Sequence, residues 1–152
     1  MSRSHPTSPL LLFDRLCAAD TVSAPTQSPE GQDLRESLRL ELLRLLNTRN
    51  GLSRAQFLAC EGSVLHYGLP DLLGLCSQSD ADLEAASQLV THGLCLFEPR
   101  LKNVRVQAQP DPVDPTRARL TVSASAVAGP VAQRVEFSVI LDDPDHRVMH
   151  CV

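Results

Sequence analysis

The chain has few aromatic residues and no excess of positive charge, and both deficits exclude some classes of function. Aromatic side chains make up 3% of the 152 residues, with one Tyr and no Trp, so little is available to stack on bases or sugar rings. The formal net charge is −4, so no overall positive field attracts a phosphate backbone. Nucleic-acid binding is therefore not expected, and the core has to be built from Leu, Val and Ala.

The cysteines lack the spacing of a metal site. The five cysteines are odd in number and form no C-x-x-C pair, and the one H-x-x-x-H spacing among the five histidines, His146 and His150, falls in the expected C-terminal tail. We therefore expect reduced thiols packed as small apolar side chains in a cytoplasmic protein, with no metal and no cofactor. The longest apolar run near the start, LLLF at 10–13, is too short for a signal peptide or a membrane span.

The common catalytic motifs are missing as well. The sequence contains no P-loop and no G-x-G-x-x-G, G-x-S-x-G or H-E-x-x-H pattern. Cys60 and His66 lie close in sequence, but a thiol–imidazole pair also needs spatial contact and a third, orienting group. Glu98 and Asp71 could form the carboxyl pair of a glycosidase, although few aromatic residues are present to hold a sugar. Catalysis is therefore the weaker hypothesis.

The first 33 residues are predicted to form a flexible N-terminal segment. Residues 18–33 are rich in Ser, Pro, Thr and Asp and have few apolar anchors, which is typical of a linker. Before them, LLLFDRLC at 10–17 is an apolar cluster in which Leu11, Leu12 and Leu16 can share a helical face. This cluster either folds back onto its own domain or tethers a partner, and the sequence leaves both possibilities open.

Two amphipathic helices are predicted in the next part of the chain. The first starts at residue 34, where leucines recur at helical spacing after Asp33, its expected N-cap. A short helical turn and an ordered loop, HYGLPDLLG, come next. The second helix is expected to start at Ser79 or Asp80 and to end near Glu98, because a proline follows and disfavours helical geometry in the residue before it.

Three segments of alternating hydrophobicity follow the helices, at 101–109, 117–128 and 131–142. They predict an antiparallel meander. The fold class is therefore α+β, with the N-terminal helices packed on one face of a small antiparallel sheet. The domain is expected to occupy residues 34–145, with a C-terminal tail at 146–152.

The sharpest change of pattern falls in CLFEPRLKNVRV, residues 95–106, where Glu98 and Arg100 flank Pro99. The two charges could be catalytic groups, a private ion pair or a docking point for another subunit. An exposed private pair contributes only roughly 0–1 kcal/mol. Docking would instead use two charges that point away from the core on a chain stiffened by proline. The residues alone do not decide between an ion pair and docking.

Four segments resemble, in the same order, the TssE family of baseplate subunits in bacterial type VI secretion systems. They are LLLFDRL at 10–16, RESLRLELLRLLNTR at 35–49, SVLHYGLPDLLGL at 63–75 and FEPRLKNVRV at 97–106. That family is similar to the wedge protein of contractile-phage baseplates, and the resemblance covers residues 10–145. Two positions depart from the family pattern, namely His66, where Asn is usual, and FLACEG at 57–62.

The resemblance implies a non-enzymatic role in assembly. Members of the family join the baseplate wedge with TssF, TssG and TssK, in the bacterial cytoplasm at a membrane-docked baseplate. They also sit beneath the first ring of the contractile sheath, TssB and TssC, and help to nucleate its assembly. The alternative is a peptidoglycan-active, lysozyme-like hydrolase, which an older label of the family suggests.

Three groups of residues are therefore predicted to bind partners. The resemblance implies that the Glu-Pro-Arg motif docks onto the helical core of the wedge, and the ordered loop and the N-terminal apolar cluster are the other two groups. The residues are Glu98, Pro99, Arg100, Tyr67, Leu69, Pro70, Asp71, Leu11, Leu12 and Leu16. A sheath strand could also add to an exposed sheet edge, although Arg134, Arg117 and the nearby prolines could equally protect that edge.

Overall fold

The structure is a computed structural model that describes residues 30–72, 74–128 and 131–141. Helices come first and a three-stranded antiparallel sheet follows, which confirms the predicted α+β fold. The helical elements are α1 (Glu30–Asn47), α2 (Arg54–Ala59), a single 3₁₀ turn (Val64–His66) and α3 (Asp80–Phe97). The strands are β1 (Leu101–Pro110), β2 (Ala118–Ala128) and β3 (Val131–Leu141), each within one residue of its predicted bounds.

Helix α1 is amphipathic as predicted, but it begins earlier than the leucine pattern indicates. Its buried face is a row of leucines at helical spacing: Leu34, Leu38, Leu42, Leu45 and Leu46. The helix begins at Glu30, so Asp33 lies inside it and is not the N-cap. The polar residues at 30–33 carry no apolar periodicity, so the sequence pattern could mark the helix only from its first leucine.

The loop after the 3₁₀ turn is pinned to the end of α1. The Asn50 side-chain amide donates to the carbonyl oxygens of His66 at 3.2 Å and Gly68 at 2.9 Å. The Leu69 N–H donates to the Thr48 carbonyl at 2.9 Å, and its own carbonyl accepts from the Asn50 N–H at 2.9 Å. These bonds place the Leu69 side chain in the core, where it is fully buried.

Helix α3 starts and ends where the sequence predicts. Ser79 is its N-cap, with a hydroxyl that accepts from the Asp82 N–H, and Glu98 is its C-cap. The loop comes close to the last half of α3 at Gly93, where a Cβ would lie 2.8 Å from Leu69 Cδ2. Helix α3 therefore packs against both α2 and the loop, and it also contacts β1.

The sheet has the order β1-β2-β3 and packs one face on the helices. Alternate residues of the two later strands form that face: Leu120, Val122, Ala124, Ala126, Val135, Phe137 and Val139. The β1 edge lies against α3, where the Ala108 N–H donates to the Ser87 hydroxyl at 3.0 Å. On the opposite side, β3 pairs only with β2 among the strands that the structure describes.

A β-bulge interrupts β1 directly after its start. Lys102 pairs with Ser125 and Arg105 with Ser123, so three steps on β1 match two steps on β2. Asn103 provides the extra residue in a left-handed conformation, with φ +53°. Asn tolerates this region better than most residues with a side chain. The bulge therefore places Lys102 and Arg105 on the same face of the sheet despite their odd spacing.

The loop between β1 and β2 is organised around a buried carboxylate. Asp111 Oδ1 accepts from the Val113 N–H at 2.7 Å and the Asp114 N–H at 3.1 Å, while Oδ2 accepts from Arg119 Nε at 2.9 Å. Burial by itself raises the pKa of Asp111, but the hydrogen bonds from Asp114 and Val113 and the Arg119 guanidinium outweigh it, and the pKa is lowered.

This lowered pKa predicts a pH-dependent contribution to stability. The folded state binds the Asp111 proton less readily than the unfolded chain, whose carboxyl has the ordinary pKa of 3.8. The contribution is therefore complete above that value and is lost as the pH falls through the folded pKa. Wild type and Asp111→Asn should differ most in unfolding free energy near pH 6 and converge as the pH drops below about 4. Urea titrations across that range test this, and a constant difference would contradict it.

Two glycines with positive φ allow backbone strain to be separated from a steric clash. A Cβ at Gly68, where φ is +104°, would lie 2.6 Å from the Thr48 carbonyl oxygen. Gly74 has φ +83°, and a Cβ there would meet nothing within 4 Å. We expect Gly68→Ala to lower the unfolding free energy by more than about 2 kcal/mol and Gly74→Ala by about 1 kcal/mol. Equal losses in urea unfolding would mean that the loop does not need its close contact with α1.

Candidate functional site

The Glu-Pro-Arg motif lies at the junction of α3 and β1, and its two charges bond to each other. Glu98 Oε1 accepts from Arg100 Nε at 2.7 Å, and Oε2 accepts from Arg100 Nη2 at 2.7 Å. The Arg100 backbone N–H adds a third, longer bond of 3.3 Å to Oε1. We call this bidentate pair the Glu98–Arg100 clasp.

The docking interpretation has both charges pointing away from the core, and that orientation is wrong. Glu98 is only 6% exposed, and the Arg100 side chain is 13% exposed. A carboxylate this deeply buried is costly unless it is paired, and a guanidinium two residues away can satisfy both of its oxygens at once. The two charges on either side of the proline are therefore held together. Whether either residue also contacts a partner stays a prediction.

The clasp connects elements that are distant in sequence. Arg100 Nη1 donates to the Ser37 hydroxyl of α1 at 3.1 Å, and the Arg100 carbonyl accepts from the Val127 N–H of β2 at 2.9 Å. Its partner Glu98 caps α3 through its backbone N–H, which donates to the Leu94 carbonyl. One buried ion pair therefore joins both long helices to the sheet.

The predicted loop residues divide into buried and exposed positions. Tyr67 packs edge-on against Phe97, with ring centroids 5.3 Å apart. Burial, and then the nearby Glu41 carboxylate, raise the pKa of the Tyr67 hydroxyl. Leu69 and Pro70 are buried inside the domain, so they shape the loop and do not present a surface, whereas Asp71 is exposed. Binding of a partner by these residues has not been tested and stays a prediction.

Sequence reasoning missed the two most exposed apolar side chains of this region. Val64 and Leu65, in the 3₁₀ turn, are 92% and 91% exposed. They lie between Gly62 and Gly68, both with positive φ. A run of two apolar residues between glycines is too short to show periodicity, which is why the pattern gave no sign of their orientation. Exposed apolar groups on a pinned turn are suited to contact another protein.

The catalytic candidates are not assembled into a site. Both oxygens of Glu98 are occupied by Arg100, and the crevice beside it, lined in part by Tyr67, has a volume of about 10 Å³, room for about one water molecule. The His66 ring bonds to the Ser63 hydroxyl at 3.2 Å, so the structure gives no support to a Cys60–His66 dyad. The predicted glycosidase pair therefore lacks a free carboxylate at Glu98.

Other predictions concern metals, thiols and the N-terminal cluster. In residues 30–72, 74–128 and 131–141, no group of His, Cys, Asp and Glu could hold a metal ion. Cys60, Cys76 and Cys95 are free thiols. No helix of this described part is long and apolar enough to cross a membrane. Leu11, Leu12 and Leu16, like the tail at 146–152, lie outside the described residues.

Solved structures share this arrangement of helices and sheet. A chain from the baseplate complex of the type VI secretion system matches with a TM-score of 0.55 and 17% identity, over 74% of this chain and 98% of that chain. A candidate tail lysozyme from Geobacter sulfurreducens matches at 0.47 and 16% identity, over 80% and 99%, which is too weak to support a conclusion. At these identities the first similarity establishes the fold alone.

The family follows from the sequence itself. The model of the family "Baseplate wedge protein gp25" matches residues 32–131, which is 100 of the 152 residues. The chain therefore belongs to the baseplate wedge protein gp25 family, and this confirms the family expected from the four segments. No curated protein matches the chain.

The clasp predicts a stability difference between two Arg–Glu pairs of the same chain. Arg39 and Glu36 form an exposed pair on α1, whereas Arg100 and Glu98 are largely buried. We expect Arg100→Ala to lower the unfolding free energy by about 3 kcal/mol, because it strands a buried carboxylate. Arg39→Ala should cost less than about 1 kcal/mol. Chemical denaturation of both variants measures the difference. A small loss of unfolding free energy for Arg100→Ala would instead favour a docking role for the motif.

Proposed function

We propose that the chain is a structural subunit of a type VI secretion baseplate, with no catalytic activity of its own. The observation that carries this proposal is membership of the baseplate wedge protein gp25 family over most of the domain. The shared fold with a chain from a type VI baseplate complex supports it. The four TssE-like segments favour the type VI branch of the family, with TssF, TssG and TssK as wedge partners and TssB/TssC as the sheath.

A non-enzymatic role is consistent with the chemistry of the best candidate residue. An acid catalyst of glycoside hydrolysis has to present a carboxyl group to the glycosidic oxygen. Glu98 is 6% exposed, and its two oxygens accept three hydrogen bonds from Arg100. Releasing it would leave the guanidinium without its carboxylate inside the domain. Assembly therefore agrees better with this geometry than hydrolysis does.

The wedge contact is proposed to involve the 3₁₀ turn and the loop that follows it, residues 63–71. Val64 and Leu65 present apolar side chains there, and Asp71 adds an exposed charge. The backbone behind them is fixed by Asn50, so little conformational entropy remains to be lost when a partner binds. Exposed apolar side chains on a rigid support are typical anchors of a protein interface.

The sheath contact is proposed to form at the β3 edge. In the part of the chain that the structure describes, β1 is flanked by α3, whereas the far side of β3 has no neighbouring strand. An incoming strand could form a backbone hydrogen-bond ladder there, and such pairing tolerates many sequences. The first sheath subunit could thus extend this sheet and start the assembly of the sheath.

The wedge contact can be tested with a matched pair of surface variants. Val64→Asp with Leu65→Asp alters the 3₁₀ turn, and Val113→Asp alters an equally exposed valine in the β1–β2 loop, which is 87% exposed. When each is co-expressed with TssF, TssG and TssK, we expect the double variant to reduce co-purification at least about tenfold and the Val113 variant to leave it unchanged. Both should melt near the wild-type temperature, because no buried side chain is altered.

Each possible result bears on a different claim. If the wild-type chain fails to co-purify with any wedge or sheath protein, the proposed function is wrong. Normal co-purification of the double variant would remove the 3₁₀ turn from the interface while leaving the baseplate role intact. Lysis of peptidoglycan by the purified chain, abolished in Glu98→Gln, would favour the hydrolase alternative.

A further inference from the structure

The outward face of the sheet carries three cations that the β1 bulge brings together. Cross-strand pairing places Lys102, Ser125 and Arg134 in one row and Arg105, Ser123 and Glu136 in the next. Neighbouring strands are about 4.8 Å apart, so the backbones of Lys102 and Arg134 are separated by roughly 10 Å. Without the extra residue at Asn103, Lys102 and Arg105 would lie on opposite faces. We call Lys102, Arg105 and Arg134 the basic cluster.

The cluster is available for binding. All three side chains are exposed, and the serines between them are too small to cover them. Within the described ranges, none of the three side chains forms a hydrogen bond or an ion pair. The other arginine that faces outward on β2, Arg119, is already bound to Asp111 through Nε and Nη2. The basic cluster is thus a local positive surface whose charges are not paired within the described residues.

The sign of the cluster contrasts with the sign of the whole chain. The formal net charge is −4, whereas the two rows hold three cations and one carboxylate, Glu136. Exposed charges roughly 10 Å apart are largely screened from one another at physiological salt, where the screening length is about 8 Å, so the cations can share this face with little mutual repulsion. The bulge at Asn103 is the feature that aligns these side chains, and β-bulges are over-represented at sheet edges, where they re-aim side chains. The same bulge also keeps Leu101 and Val106 on the core face.

We propose that the basic cluster binds an acidic segment of the sheath protein whose strand is proposed to add at the β3 edge. The proposal rests on the assembly role proposed above and adds a chemical requirement for the partner, namely carboxylates that face this sheet. A protein is favoured over a nucleic acid because the chain is acidic overall and has almost no aromatic residues to stack on bases. In addition, Arg134 lies on β3, so the cluster is continuous with the edge proposed to receive a sheath strand.

One property of the sequence makes a direct test possible. Lys102 is the only lysine in the chain. A carbodiimide activates a partner carboxyl group, which then forms an amide bond with the Lys102 amine while the carbodiimide leaves as a urea. The purified chain is mixed in turn with the TssF–TssG–TssK complex and with the TssB–TssC sheath subunit, and each product is digested and sequenced by mass spectrometry. We expect an amide between Lys102 and an Asp or Glu of the sheath subunit, and an amide to a wedge protein alone would contradict the proposal.

Affinity measurements on the same proteins supply the second half of the test. Reversing the three charges, Lys102→Glu with Arg105→Glu and Arg134→Glu, should weaken binding to the cross-linked partner at least about tenfold. The charge-preserving Lys102→Arg should bind normally but lose the amide formed at position 102. Glu136→Gln should bind as well as wild type or more tightly. The wild-type affinity should fall as salt is raised, and all variants should melt like wild type, since every altered side chain is exposed.

The outcomes separate this proposal from the one it rests on. Failure of the wild-type chain to bind either complex means that the assembly role is wrong and that this proposal fails with it. Normal binding by the charge-reversed variant, with no Lys102 cross-link, overturns the basic cluster alone. Binding of duplex DNA or of phosphatidylglycerol vesicles in the same concentration range, in competition with the protein partner, would also overturn it. A Lys102–carboxyl amide together with the loss of affinity on charge reversal supports it.

Discussion

The rest of the domain depends on a buried ion pair at the point where its helices give way to its sheet. Glu98 ends α3, and Arg100 begins the path into β1, so the pair fixes the angle at which the two halves meet. Because the Glu98 carboxylate is almost completely buried, it has to be paired, and Arg100 meets this need while also reaching Ser37 on α1. An ion pair in this position defines geometry more than it adds net stability.

Fixing the junction leaves the surfaces of the domain available for other contacts. The 3₁₀ turn projects Val64 and Leu65 from a backbone held by Asn50, and the sheet turns a polar, hydroxyl-rich face outward with the basic cluster on it. The two features differ in character, one apolar and one charged. A subunit that has to contact several different neighbours benefits from such separation, since each contact can form without rearranging the other.

Membership of the baseplate wedge protein gp25 family agrees with this division of roles. The paired charges of the Glu-Pro-Arg motif invite a catalytic or docking interpretation, yet both oxygens of Glu98 accept hydrogen bonds from Arg100 inside the domain. The exposed side chains are therefore the better candidates for contacts with other proteins.

The sequence by itself determined the family, the order of the elements and the core faces. The order and the core faces follow because apolar residues recur with a period of 3.6 in the helices and of 2 in the strands. It also placed the end of α3, since Pro99 acts on its immediate neighbour. Only the tertiary structure decided that Glu98 and Arg100 bond to each other, that Leu69 is buried while Leu65 is exposed, and that Lys102 and Arg105 share a face. Those outcomes depend on burial, on a bulge and on contacts between distant segments, which local pattern does not encode.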